Sequence, residues 1–123
     1  MNNENNAGYV EFMISRSPKK NHEALLKLEK KSAEMFTREG VLYDLFLLGN
    51  NKSWEEFTNI SKKVSASEDE DVWINMLSYK DKKHRDEFVT KISDNKECQE
   101  GYEKFTKLNT PLSEIITGEF SRL

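Results

Sequence analysis

The sequence predicts an α+β fold: a four-stranded antiparallel sheet with two main helices on one face, in the βαβ-βαβ order of a ferredoxin-like sandwich. Three observations lead there. Two helix-period stretches each lie between short apolar and aromatic runs. The chain has 123 residues, enough for one core. The two middle strands are apolar on both alternating faces, whereas an antiparallel sheet with one wet face alternates cleanly. Something must cover the second face, and another copy of the chain is the economical answer, giving a dimeric α/β barrel.

Residues 1–7 are Asn-rich and read as a disordered tail ahead of a single domain over 8–123. Residues 9–15 suit a strand. Ser17-Pro18 reads as a helix start, with Ser17 as N-cap and Pro18 at the first helical position. Leu25, Leu28, Ser32, Met35 and Phe36 then recur at helical spacing, with Lys27, Lys30, Lys31, Glu34 and Arg38 between them. Gly40 sits where a glycine ends a helix. The second strand, 41–48, carries Val41, Tyr43, Leu45 and Leu47 on one face. Leu42, Phe46 and Leu48 lie on the other, with Asp44 the exception. Gly49-Asn50-Asn51 closes it with turn chemistry.

Trp54, Phe57 and Ile60 mark either a short helical turn or an irregular packed segment, and residues 65–71 read as a polar loop. The third strand, 72–79, places Trp73, Asn75, Leu77 and Tyr79 on one side and Val72, Ile74 and Met76 on the other. Asp81 is a plausible N-cap for a second helix whose inner face is Arg85, Phe88, Val89 and Ile92, ending near Asp94-Asn95. A short third helix is readable over 99–108 through Tyr102 and Phe105, broken at Thr110-Pro111, and the last strand is 115–120.

Nineteen basic against 22 acidic residues leave a net charge of −3, so bulk attraction to nucleic acid or anionic membrane is not expected. RNA-recognition domains share this element order, but residues 71–79 lack the glycine and basic residue of a base-stacking strand. No apolar run approaches the roughly 20 residues of a membrane helix, and the first residues lack signal-peptide character. One cysteine, Cys98, excludes an internal disulfide and points to the cytosol. Its acidic neighbours Glu97 and Glu100 do not favour a reactive thiolate. His22, His84 and Cys98 are not at metal-ligand spacing, and no glycine-rich nucleotide loop is present, so neither metal nor cofactor is expected.

Four residues stand out as candidates. His84 titrates near neutrality and lies in the first turn of the second helix, a candidate catalytic acid or base. The plain alternative is packing at the helix–sheet edge. Asp86, at i+2, does not face it. Arg85 falls on the apolar stripe and needs a partner: a carboxylate such as Asp44 or Glu11, or an anionic ligand. Tyr79 closes the third strand, with its hydroxyl toward a cavity or a dimer seam. Trp73 lies on the same face and could line the same space, although sheet aromatics are usually core.

The segments Tyr9-Val10-Glu11, Pro18-Lys19-Lys20-Asn21 and Gly40-Val41-Leu42 resemble the YbaA-like family of uncharacterised proteins. Tyr79-Lys80 followed by His84-Arg85-Asp86, and then Gly118-Glu119-Phe120, extend the resemblance, which covers residues 9–120 with a loose middle. The chain departs from that family's pattern at Ser113-Glu114-Ile115, where a Lys-Arg pair is usual, and at Phe12, where glycine is usual. The resemblance implies two ferredoxin-like subunits packed sheet to sheet, in a superfamily that includes cofactor-independent monooxygenases, haem-degrading enzymes and ligand-binding domains.

The expectation is therefore a cytosolic homodimer, its own copy as partner, that binds a small organic molecule, an anionic one included, in a sheet–helix pocket. Arg85, Tyr79 and Trp73 would hold that molecule and His84 would move a proton. A cofactor-independent monooxygenase or isomerase is the enzymatic version. A structural or interaction module with no small-molecule site is the competing expectation.

Overall fold

In the computed structural model, which describes residues 7–123, the sheet consists of β1 (Tyr9–Pro18), β2 (Leu42–Leu47), β3 (Glu70–Tyr79) and β4 (Ile116–Ser121). The strand order is β2-β3-β1-β4 and every neighbouring pair is antiparallel. Between β1 and β2 lies α1 (His22–Arg38), and between β2 and β3 a single turn, α2 (Ile60–Lys63). Two helices, α3 (Lys82–Ser93) and α4 (Lys96–Leu108), connect β3 to β4. The fold is thus α+β, and the third helix, read as short over 99–108, starts three residues earlier, at Lys96, and is as substantial as α3.

Local chemistry explains most of the ends. Gly40 has φ +78° and donates its N–H to Thr37 O at 3.0 Å, closing α1 as the sequence predicts. Asp81 caps α3 by accepting the His84 N–H at 2.8 Å, and Asn95 caps α4 by accepting the Cys98 N–H at 3.0 Å. Asn59 caps α2 in the same way through Ser61 N–H, while Trp54 and Phe57 stack on each other and stay exposed.

Strand pairing moves two boundaries away from the sequence reading. Ser17-Pro18 does not start a helix. β1 runs through both residues because they pair with Asp71 and Glu70, and the buried Ser17 hydroxyl accepts the Trp73 indole N–H at 2.8 Å. Helix α1 begins only at His22, after a tight turn at Lys19–Asn21. For the same reason Glu70 and Asp71, expected in a loop, are strand residues; their carboxyl groups meet the Arg16 guanidinium and the His22 ring, each at 2.8 Å.

The tail reading for residues 1–6 lies outside the described residues. Ala7 is buried and its carbonyl accepts from the Arg122 side chain.

Pleating sends alternate residues to opposite faces. Glu11, Met13, Ser15 and Ser17 align with Leu77, Asn75, Trp73 and Asp71 on the helix-covered face. Two apolar clusters form there: Leu25, Trp73 and Phe105, and Val41, Tyr79 and Phe88. The other face carries Val10, Phe12 and Ile14 beside Ile74 and Met76, with Phe46 at 52%, Ile116 at 38% and Phe120 at 55% exposure. Gly118 serves this face: a Cβ there would lie 3.0 Å from the Phe120 ring, which packs edge-on against Phe12. No helix among the described residues is long and apolar enough to cross a membrane.

Candidate functional site

The two clusters do not fill the space between sheet and helices. A cavity of about 290 Å³ separates them, walled by Met13 and Leu77 from the sheet, Leu28 and Met35 from α1, Val89 and Ile92 from α3, and Phe105 from α4. Each end of this mostly apolar space holds a glutamate in a polar cluster.

At one end is Glu29 of α1. It shares the inner stripe with Leu25, Ser32 and Phe36, so the helix periodicity that buries those residues buries the carboxyl too. Glu29 is 6% exposed. Its Oε2 accepts from Asn75 Nδ2 at 2.6 Å and from the Tyr43 hydroxyl, and Asn75 Nδ2 lies 2.5 Å from the Tyr43 oxygen. The pairing Leu45↔Asn75 and Tyr43↔Leu77 sets Tyr43 and Asn75 on a diagonal of adjacent strands, both toward the helices. Asn75 is buried and lines the cavity, and its Oδ1 has no hydrogen-bond partner among the described residues. No ion pair of Glu29 is found among the described residues. Burial pushes its pKa above the ordinary 4.5; the hydrogen bonds from Tyr43 and Asn75 pull the other way without cancelling that effect. Burial, followed by the nearby Glu29 charge, raises the Tyr43 phenol strongly.

At the other end is Glu11 of β1. Arg85 Nη2 reaches its Oε2 at 3.0 Å and Arg85 Nε its Oε1 at 3.4 Å. The Tyr79 hydroxyl donates to Glu11 Oε1 at 3.1 Å. Arg85 also contacts Asp86 at 3.2 Å and Glu119 at 3.6 Å. The hydrogen bond to Glu11 is the largest of the influences that raise the Arg85 pKa further above its already high ordinary value. Burial, then the Glu11 charge, pushes the Tyr79 phenol up. Tyr43, Leu77 and Glu11 lie in one row across three strands, so the two ends are about 10 Å apart at the backbone.

Of the residues the sequence nominated, Arg85 and Tyr79 line the cavity, and His84 and Trp73 do not. His84 Nδ1 accepts the Lys80 N–H at 3.1 Å, and its ring packs edge-on to Tyr79. Trp73 belongs to the core with Leu25 and Phe105 and stacks on His22. Between the two carboxylates weighed as partners for Arg85, the structure selects Glu11; Asp44 is exposed on a residue of opposite pleat. Glu29 and its contacts with Tyr43 and Asn75 escaped the sequence reading. The available signal was an acid at i+4 from Leu25 on the apolar stripe, opposite an Asn in an otherwise apolar strand. Cys98 also lines the cavity; burial and then Glu97 raise its thiol pKa. Among the described residues no group of three or more His, Cys, Asp or Glu is placed to hold a metal ion.

No curated protein compared with the chain matches it. The family model described as a protein of unknown function, DUF1428, matches residues 8–109, from β1 to the end of α4, and the chain belongs to that family.

Proposed function

We propose that this DUF1428 member binds a small, largely apolar and uncharged organic molecule in the cavity between sheet and helices, as one ferredoxin-like subunit of a homodimer. The observation that carries the binding is Asn75 Oδ1, a buried acceptor left without a partner on the cavity wall. An unmatched buried polar atom costs about 1–3 kcal/mol, which a ligand hydroxyl or N–H would recover. The cavity is near the lower end of small-molecule sites, roughly 300–1,000 Å³, and suits a compound of one ring. Arg85 is the only cationic side chain among the lining residues described, and Glu11 and Asp86 already engage it. An anionic ligand would meet two carboxylates and no free cation, so a neutral one is favoured.

The strand order β2-β3-β1-β4 supports the ferredoxin-like reading. The exposed Phe46, Ile116 and Phe120, beside Phe12 and Met76, support a sheet-to-sheet dimer. The free thiol of Cys98 fits a reducing compartment such as the cytosol.

A thermal-shift panel of neutral phenols and anilines tests the binding. A ligand at 100 times its Kd adds about 2.7 kcal/mol, several degrees in Tm for a domain of this size. The shift is expected to vanish in Ser32→Phe, which fills the cavity from α1. No shift across the panel, or an equal shift in the filled variant, overturns the reading. Light scattering beside it is expected to give a dimer mass for wild type and a monomer mass for Phe12→Asp/Phe120→Asp.

A further inference from the structure

The half-buried and buried carboxylates of this protein are handled in two ways. Glu11 pairs with Arg85 and Glu70 with Arg16. Glu29, as buried as any of them, has only neutral donors, Tyr43 and Asn75. A buried carboxylate without a countercharge is a poor stabilising device, because desolvation opposes it and no cation offsets the cost. It is the arrangement found where a carboxyl must both take up and release a proton near neutrality. Both neutral donors reach Oε2, and Oε1 has no hydrogen bond among the described residues. Glu29 lines the cavity, so Oε1 is the atom left for a bound molecule.

We propose that Glu29 is a catalytic residue that moves a proton on the bound molecule, making the cavity an isomerase site for a small carbonyl compound that also carries a hydroxyl. This rests on the binding reading above. The hydroxyl donates to Asn75 Oδ1. Glu29 Oε1 takes a proton from the carbon beside the carbonyl; the C–H electron pair forms the new C=C bond as the carbonyl π pair moves onto oxygen. The protonated Glu29 then returns its proton, to that oxygen as the enol or to a conjugated carbon as the shifted alkene. Electrons and atoms balance within the substrate, and no oxidant or cofactor is consumed. Tyr43 and the Asn75 amide are positioning groups that fix the carboxyl through Oε2.

The test uses 4-hydroxyphenylacetone, a neutral ketone with an acidic benzylic C–H and a phenolic hydroxyl. Its benzylic proton signal is followed by NMR in D2O, and its binding by thermal shift on the same samples. Wild type is expected to exchange the benzylic protons faster than buffer does. Glu29→Gln is expected to keep the thermal shift and lose about 100-fold or more of that acceleration. Glu29→Asp, which keeps a carboxyl one methylene shorter, is expected to retain binding with reduced exchange, and it carries the test if the Gln variant fails to fold. A probe that binds wild type without faster exchange overturns the proton-transfer proposal and leaves the binding reading intact. The same holds if exchange is unchanged in Glu29→Gln. A probe that neither binds nor exchanges overturns both.

Discussion

Two glutamates face one cavity from opposite ends, and the protein treats them differently. Glu11 is met by the Arg85 guanidinium through two nitrogens and by the Tyr79 hydroxyl, so its charge is balanced in place. Glu29 is met by a phenol and an amide, which donate hydrogen bonds but bring no charge. The first end is built to hold the cavity's shape, because a fixed ion pair ties β1 to α3. The second is built to change protonation, because its carboxyl lies in apolar surroundings with its pKa pushed up by burial.

The difference can be broken at either end. The largest expected effect is at Glu11. Arg85→Ala strips the cation from Glu11 and leaves the Tyr79 hydroxyl as its only donor from this cluster. A fully buried pair broken this way costs about 3–5 kcal/mol. Both side chains here keep about a fifth of their surface exposed, 22% and 18%, so about 1–3 kcal/mol is expected. Urea unfolding checks this, and an unchanged midpoint would mean that the pair contributes nothing to the fold.

A smaller effect is expected at Glu29. Tyr43→Phe keeps the ring that packs edge-on against Phe36 and removes one hydrogen bond to the carboxylate. The loss should be about 0.5–1.5 kcal/mol at pH 7. It should shrink toward pH 4, because Tyr43 favours the ionised form of Glu29 and that form disappears as the pH falls. A loss that is the same at both pH values would contradict the assignment of Tyr43 as the group orienting an ionised Glu29.

How much of this the sequence shows depends on whether the cause is local. The Gly40 and Asp81 termini are legible because glycine conformation and capping act within a few residues. Ser17-Pro18 misleads because its local chemistry favours a helix start, whereas pairing with Glu70 and Asp71, more than fifty residues away, extends the strand. Those two acids look like loop residues until Arg16 and His22 are seen beside them. The Arg85 end of the site is legible because a cation on an apolar stripe demands an acid, and Glu11 was one of two named. Glu29 lies on a stripe just as clearly, but its meaning depends on Tyr43 and Asn75 converging on it. That convergence is set by the register of β2 on β3, which periodicity does not fix.

The most direct measurement compares wild type with Glu29→Gln by urea unfolding from pH 4 to pH 8. Raising the pKa of a carboxyl in the folded state means that the folded protein keeps the proton longer than the unfolded chain does. The Glu29 contribution is then fully present below the ordinary value of 4.5 and is lost as the pH rises through the raised folded value. Glutamine does not titrate, so the variant should gain on wild type across that window, and the gap should level off once Glu29 is ionised in both states. A gap that stays constant with pH, or that grows as the pH falls, would contradict the central claim that Glu29 is buried without a countercharge and poised to exchange a proton.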